Sequence, residues 1–190
     1  DSFERAISLT PEGSQEVAGD LQSKGVRLRR SVLLSTTYFG FNMEDPTVGS
    51  YEERSCKLRR AIGIALDTEE QIRIFNNGRG VPAMNPIPPG IFGSEEGEAG
   101  LNPYVYTWDA AAGATRRRPI EEARSLLAEA GYPGGIGPDG KQLVIGFDNS
   151  WEDAGSKALF QWLQGRFAEL GIYLENRFTD YNRFQEKIHA

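Results

Sequence analysis

Cysteine and histidine are almost missing from this sequence, which has one of each among 190 residues. The single cysteine, Cys56, excludes a disulfide within the chain, and its setting favours an ordinary buried or half-buried thiol over a reactive one. His189 is the only histidine, so these residues cannot form a Ser-His-Asp triad or a histidine-based metal site. We therefore predict no catalytic residue, no metal site and no cofactor.

Long apolar runs and basic clusters are also scarce. The longest apolar stretches, such as 32–34 and 143–145, are far shorter than the roughly 20 residues that cross a bilayer. With 27 acidic and 21 basic residues the net charge is -6, so a nucleic-acid partner is not expected. The one basic run, Arg116 to Arg118, is interpreted as a solvated face without a site.

An enzyme is one alternative, and only neighbouring carboxylates could support it. The pairs are Glu121 with Glu122 and Glu152 with Asp153, and adjacent residues on a helix point apart. The sequence has no Gly-x-Ser-x-Gly elbow and no Gly-rich Lys-Ser loop for phosphate. We predict that the chain is not an enzyme.

The first half of the sequence predicts short elements followed by helices. Apolar spacing predicts a short helix over 14–24, and the alternation at 26–29 and the aromatic stretch 36–43 predict strands, the second of them central. A longer helix is predicted around 58–66 and a second one after Asp67, ending at Asn77-Gly78. The proline- and glycine-rich segment 78–114 is predicted to be a long connection with little regular structure.

The second half alternates helix and strand. Helices are predicted at 119–130 and 153–170, strands at 143–147 and 172–178, and a last helix after Thr179 or Asp180. Val144 is expected to be buried, which would make its strand buried on both faces. Strand, helix and strand in this order predict a right-handed βαβ unit, and the elements together predict an α/β fold with a mixed sheet flanked by helices. Because the sequence ends on an amphipathic helix, we expect a truncated chain.

Four segments stand in a fixed order along the sequence. They are an aromatic strand that ends in Asn42-Met43, a helix with a basic start and a closing aspartate, a proline-rich loop, and a Leu-Leu-Ala-Glu-Ala-Gly helix; they span 37–43, 57–67, 78–90 and 121–133. In this order they resemble the family 5 extracellular solute-binding proteins, the peptide- and nickel-type proteins of ABC importers. The resemblance covers about residues 37 to 188.

The resemblance implies a lobe of the type II periplasmic-binding-protein fold, three-layer-like and incomplete. Residues 1–45 would be a remnant of lobe one with the hinge strand, and residues 46–190 a truncated lobe two whose acidic ligand anchor lies beyond Ala190. The implied function is capture of peptides or similar solutes between two lobes and delivery to an ABC permease in the membrane. The implied protein is a periplasmic or extracellular, membrane-associated monomer whose secretion signal lies outside these residues. An oligosaccharide-binding member, or a sensor or interaction module built on the same lobe, remains an alternative.

In similar proteins the loop between the strand at 143–147 and the next helix reaches the solute, so the resemblance assigns ligand binding to Asn149, Ser150 and Trp151. This loop begins at the carboxyl end of a strand, where open α/β sheets bind ligands. It offers no basic residue before Lys157, which argues against a free-carboxylate peptide. Tyr38 and Asn42, near the hinge, complete the predicted site. Trp151 could instead cover the end of the sheet, and Tyr38 and Asn42 could serve packing.

Overall fold

The computed structural model of the protein describes residues 7–9, 15–150 and 153–189. By internal contacts the chain divides into two compact units, residues 1–37 with 68–100 and residues 38–67 with 101–190. The helices are α1 (Gly19–Gln22), α2 (Glu53–Ala65), α3 (Thr68–Phe75), α4 (Ile120–Glu129), α5 (Ala154–Ala168) and α6 (Tyr181–His189). The strands are β1 (Ile7–Leu9), β2 (Gln15–Val17), β3 (Tyr106–Asp109), β4 (Ala114–Arg117), β5 (Val144–Asn149) and β6 (Tyr173–Phe178).

The first unit contains an antiparallel pair of β1 and β2, followed by α1 and, after the gap in sequence, α3. Helix α3 ends as predicted, because Asn77 and Gly78 both take positive φ and the Gly78 N–H bonds to the Ile72 carbonyl oxygen at 3.0 Å. From 78 to 100 the unit has no helix or strand among its described residues. None of its described apolar side chains is buried.

The second unit holds the hydrophobic core, and α2 and α4 pack against each other at its centre. Leu58 and Ile62 on α2 and Leu127 on α4 are almost completely buried. Buried apolar residues recur at helical spacing along both helices, so one face of each helix is removed from water. The predicted helices at 58–66 and 119–130 are therefore confirmed.

The core continues into a parallel unit in which α5 connects β5 to β6. The register runs from Val144 opposite Tyr173 to Asn149 opposite Phe178. Where the two strands begin, the backbones of Gly135 and Gly171 approach so closely that a Cβ on either would meet the other segment's carbonyl. This contact places the starts of β5 and β6 side by side, and the predicted strand, helix and strand order is confirmed.

A hairpin that the sequence patterns did not predict interrupts the long connection. Strands β3 and β4 pair antiparallel, with Tyr106 opposite Arg117. Arg117 donates to the Ile64 carbonyl oxygen at the end of α2 and forms an ion pair with Asp67 at 2.7 Å. Arg118 donates to the Pro103 carbonyl oxygen and to Glu122. The interpretation of the basic run as a solvated face holds for Arg116 alone and is wrong for its two neighbours.

Other local predictions are wrong. Residues 26–29 and 36–43 form no strand, and the helix predicted over 14–24 is reduced to α1 after β2. An alternating pattern forms a strand only beside a partner that takes its backbone hydrogen bonds, and none of the described sheets includes these residues. Val144 is 46% exposed rather than buried, so β5 is buried on one face.

The predicted α/β class is confirmed. Within the described residues the strands form three two-stranded sheets, one parallel and two antiparallel. In that part of the chain no helix is both long and apolar enough to span a membrane. The same residues contain no group of three or more histidine, cysteine or carboxylate side chains that could hold a metal ion.

Candidate functional site

The carboxyl ends of β5 and β6 lie side by side because the two strands are parallel and in register to their last residues. The chain leaves β5 after Asn149 and leaves β6 after Phe178, which is opposite. Two connections, one to α5 and one to α6, therefore begin at the same edge of the sheet. This edge is where α/β proteins place their ligand-binding groups.

Asn149 is buried at this edge, with 4% of its surface exposed. Its side-chain Nδ2 donates to the Phe147 carbonyl oxygen at 3.2 Å and to Oδ1 of Asn176 on β6 at 2.7 Å. Its own carbonyl oxygen accepts a hydrogen bond from the Thr179 N–H at 2.9 Å. Asn149 therefore bridges the two strands through both side chain and backbone.

Asp153 closes the other end of the connection from β5. As the N-cap of α5 it accepts a hydrogen bond from the Ser156 N–H at 3.0 Å, and its other carboxylate oxygen accepts from the Ser156 hydroxyl. The Ser156 hydroxyl bond is the largest cause that lowers the pKa of Asp153, and the backbone N–H bond adds to it. Asp153 is thus an anion beside the cavity at neutral pH.

A cavity of about 310 Å³ lies between α5 and the two strands. Its wall is polar except for one ring and consists of Asn149, Ser156, Lys157, Phe160, Gln161, Gln164 and Asn176. Carboxamide groups both donate and accept hydrogen bonds, so such a wall suits a ligand that carries amides or hydroxyl groups. Gln164 also ties the helix to the sheet, since its Nε2 donates to the Leu174 carbonyl oxygen at 3.1 Å.

Ion pairs occupy the opposite face of the same strands. Lys187 on α6 pairs with Asp148, and Arg177 pairs with Glu175 at 2.7 Å. The guanidinium of Arg177 lies over Gly146, where a Cβ would collide with it. The hydrogen bond to Glu175 is the largest cause that raises the pKa of Arg177. These contacts distinguish a charged face from the amide-lined face.

An aromatic chain connects residue 39 to the cavity. The Phe39 and Phe147 rings meet edge to face with centroids 5.7 Å apart, and Phe147 lies 5.9 Å from Phe160, which lines the cavity. Phe39 is packed against the core although the segment around it is not a strand. The aromatic run at 38–41 was a visible signal, but the sequence could not indicate which ring turns inward.

The structure brings together only part of the predicted site. Asn149 and Ser150 lie at the carboxyl edge, and Trp151 lies outside the described residues. Tyr38 is 82% exposed, and the Asn42 Oδ1 accepts a hydrogen bond from the Glu44 N–H in a local turn. Neither of these two residues lines the cavity.

Sequence reasoning missed most of the cavity wall on the helix. Lys157, Gln161 and Gln164 lie on one side of α5, and Asn176 lies on β6. The spacing of three and four residues between the polar helix positions was the available signal. The apolar positions of the same helix give the stronger pattern, and that pattern indicates only the core.

Comparison with known proteins gives the family. Residues 6–190 match the bacterial extracellular solute-binding proteins, family 5 Middle. The chain is 31% identical over 114 residues to heme-binding protein A of Haemophilus influenzae, a match that covers 60% of this chain and 17% of that protein.

Solved structures share the fold. AgaA from A. tumefaciens R10, solved with agropinic acid, is 25% identical, with a TM-score of 0.51 over 72% of this chain and 24% of its own. The oligopeptide-binding protein AppA from Bacillus subtilis, solved with a nonapeptide, is 19% identical, with a TM-score of 0.58 over 78% of this chain and 27% of its own. The chain thus spans about a quarter of these solved relatives. Because the family match extends over nearly all of its residues, the chain belongs to the bacterial extracellular solute-binding proteins of family 5.

Proposed function

We propose that the chain is part of the substrate-binding component of an ABC importer, which captures peptides or similar solutes between two lobes and delivers them to a membrane permease. The match to a solute-binding family over residues 6–190 is the observation that carries this proposal. The working location would be periplasmic or extracellular, next to the membrane that holds the permease. The proposed role is binding and delivery, without chemical conversion of the solute.

The proposed solute-facing region is the carboxyl edge of β5 and β6. Ser150 and Trp151 follow β5 in the sequence, and Asn149 and polar residues of α5 line the cavity beside the strand. An exposed Tyr38 could stack on a solute, and Asn42 would lie at the hinge. In this proposal residues 1–45 belong to lobe one and its hinge, and residues 46–190 belong to lobe two.

The chemistry of the cavity supports a solute with many neutral polar groups. Four of its seven wall residues are carboxamides, and one is positively charged, Lys157, whose backbone N–H bonds to the Asp153 carbonyl oxygen at 3.2 Å. Peptide backbones and sugars both present adjacent donors and acceptors to such groups. A peptide is the first candidate, in keeping with the nonapeptide in AppA. An oligosaccharide is the second candidate, because carboxamides also pair well with vicinal hydroxyl groups.

A thermal-shift screen separates these candidates. The full-length binding component is heated alone and with a nonapeptide, a linear hexasaccharide, agropinic acid or hemin, each at several concentrations. A ligand that binds only the folded state raises Tm in proportion to the logarithm of its concentration. We expect the peptide to raise Tm. A rise with the hexasaccharide alone would replace peptide by sugar, and no rise with any probe would count against solute binding by these residues.

A pair of tryptophan variants tests the location. Trp151→Ala should weaken binding of the successful probe by about tenfold, because an aromatic side chain that closes a cleft contributes a large apolar contact. Trp108→Ala, on the β3–β4 hairpin, removes the same side chain elsewhere and should leave the affinity unchanged. Isothermal titration calorimetry measures both. Equal losses in the two variants would show that the effect arises from general destabilisation.

A further inference from the structure

We infer that Asn149 is a positioning residue, whose side-chain amide ties the carboxyl end of β5 to β6 and sets where the two connections at that edge begin. The inference deepens the proposed function, because it concerns the same edge. It differs from the resemblance, which assigns Asn149 to direct ligand contact.

The hydrogen bonds of the Asn149 side chain favour positioning over ligand contact. A carboxamide nitrogen has two N–H groups, and the Nδ2 of Asn149 has two acceptors, the Phe147 carbonyl oxygen and Oδ1 of Asn176. The nitrogen is therefore fully used within the protein. A solute that needed a donor from this side chain would have to break one of these bonds.

Asparagine has the size and the two N–H donors that this position uses. The site is 4% exposed, so an unpaired polar group there would be costly. Aspartate has almost the same shape but, when ionised, only accepts hydrogen bonds, and it would place its oxygens against the Phe147 and Asn176 oxygens. Leucine would fill the space but supply neither of the two N–H donors.

The bridge acts on both connections. Through its carbonyl oxygen Asn149 accepts from the Thr179 N–H, the first residue after β6. On the β5 side the connection is held at one end by Asn149 and at the other by the Asp153 cap of α5. Loosening the Asn149 side chain should therefore loosen the start of both connections at once.

Two isosteric variants test the direction of the hydrogen bond. Asn149→Asp removes the donor, whereas Asn176→Asp keeps the acceptor at Oδ1. In hydrogen exchange followed by NMR, we expect the Thr179 amide to exchange about tenfold faster in Asn149→Asp and within about twofold of the original protein in Asn176→Asp. Equal exchange rates in the two variants would overturn the inference, and the pair of Asn176 variants below, made at an exposed position, separates loss of the bridge from the cost of burying a charge.

A second pair of variants, Asn176→Leu and Asn176→Asp, tests the same bridge if Asn149→Asp fails to fold. Asn176 is exposed, so Asn176→Leu should be tolerated while it removes the acceptor. We expect faster Thr179 exchange in Asn176→Leu than in Asn176→Asp, and equal rates would contradict the bridge. The measurements use no solute. Their outcome is therefore independent of whether the thermal-shift screen finds a ligand.

Discussion

At the scale of a single residue, Asp153 shows how one side chain determines the start of a helix at the proposed site. Its carboxylate accepts from both the backbone N–H and the hydroxyl of Ser156. The first N–H groups of a helix have no partner within it, so a cap of this kind supplies one. The same bonds lower the pKa of Asp153 from its ordinary value of 3.8.

Replacing Asp153 should remove a pH-dependent part of the stability. Because the pKa is lower in the folded than in the unfolded chain, the ionised form stabilises the fold at every pH above the unfolded value, near 3.8. This contribution is lost as the pH falls through the lower folded value. We expect Asp153→Ala to lower Tm at pH 7, and the difference from the original protein to shrink toward pH 3, in thermal unfolding followed by circular dichroism.

Two further variants isolate the cap. Asp153→Asn keeps an oxygen that accepts from the Ser156 N–H, so its Tm at pH 7 should fall less than that of Asp153→Ala. Because asparagine does not ionise, its contribution to Tm should not vary with pH. Glu96→Gln removes an exposed carboxylate from the first unit and should leave Tm nearly unchanged at both pH values. A constant difference between Asp153→Ala and the original protein across the pH range would contradict the assigned cause.

At the scale of elements, Arg117 supplies a hydrogen-bonded link between the β3–β4 hairpin and α2. The last carbonyl groups of a helix have no partner within it, and Arg117 donates to that of Ile64 while it pairs with Asp67 just beyond. Arg116, its neighbour on the strand, pairs with Asp109 within the hairpin and is 73% exposed in its side chain. Two adjacent arginines thus have different structural roles.

The two arginines should differ in their effect on stability. Arg117→Met keeps much of the apolar stem and loses the charged hydrogen bonds, so we expect the free energy of unfolding to fall by about 1.5–3 kcal/mol. Arg116→Met removes a pair that is mostly in solvent and should change it by less than about 0.5 kcal/mol. Urea unfolding measures both values. Similar losses in the two variants would show that Arg117 does not anchor the hairpin.

At the scale of the whole molecule, the buried apolar side chains are unevenly distributed. All of those found among the described residues lie in the second unit, residues 38–67 and 101–190. Burial of apolar surface is the main favourable contribution to folding. The first unit should therefore open at a lower free energy than the second.

Limited proteolysis should attack the first unit first. Its described residues expose Arg27, Arg29 and Arg30 outside any helix or strand, whereas Arg124 and Arg166 lie on helices of the second unit. We expect brief trypsin treatment, followed by mass spectrometry, to yield early cuts within 27–30. Endoproteinase Glu-C provides a matched check, since Glu95 and Glu96 should be cut before Glu129. Early cleavage after Arg166 or Glu129 would contradict this order.

Prediction from sequence succeeded where an element satisfies its own backbone. A helix forms its hydrogen bonds within one segment, so apolar spacing and capping residues locate it without knowledge of the rest of the chain. Helices α2 to α6 lie close to their predicted positions for this reason. Strand β5 was predicted because its partner follows after a single helix, within the same local unit.

The remaining features depended on partners distant in sequence. The alternating residues at 26–29 and 36–43 form no strand beside any described neighbour, and Phe39 alone turns toward the core. Ligand contact by Asn149 stays a prediction, and the structure adds a bond that the sequence could not indicate, from its side chain to Asn176, 27 residues later. Local pattern does not indicate which acceptor a buried amide will meet.

By itself the sequence determined the α/β class, the family resemblance, the helices and the parallel unit that ends at the proposed site, because periodicity and capping are local properties. Only the tertiary structure decided that Arg117 is an anchor, that β3 and β4 form a hairpin, and that four carboxamides line one cavity. These features arise from hydrogen bonds between distant segments. Such bonds form only after the apolar faces of the helices and strands have packed together.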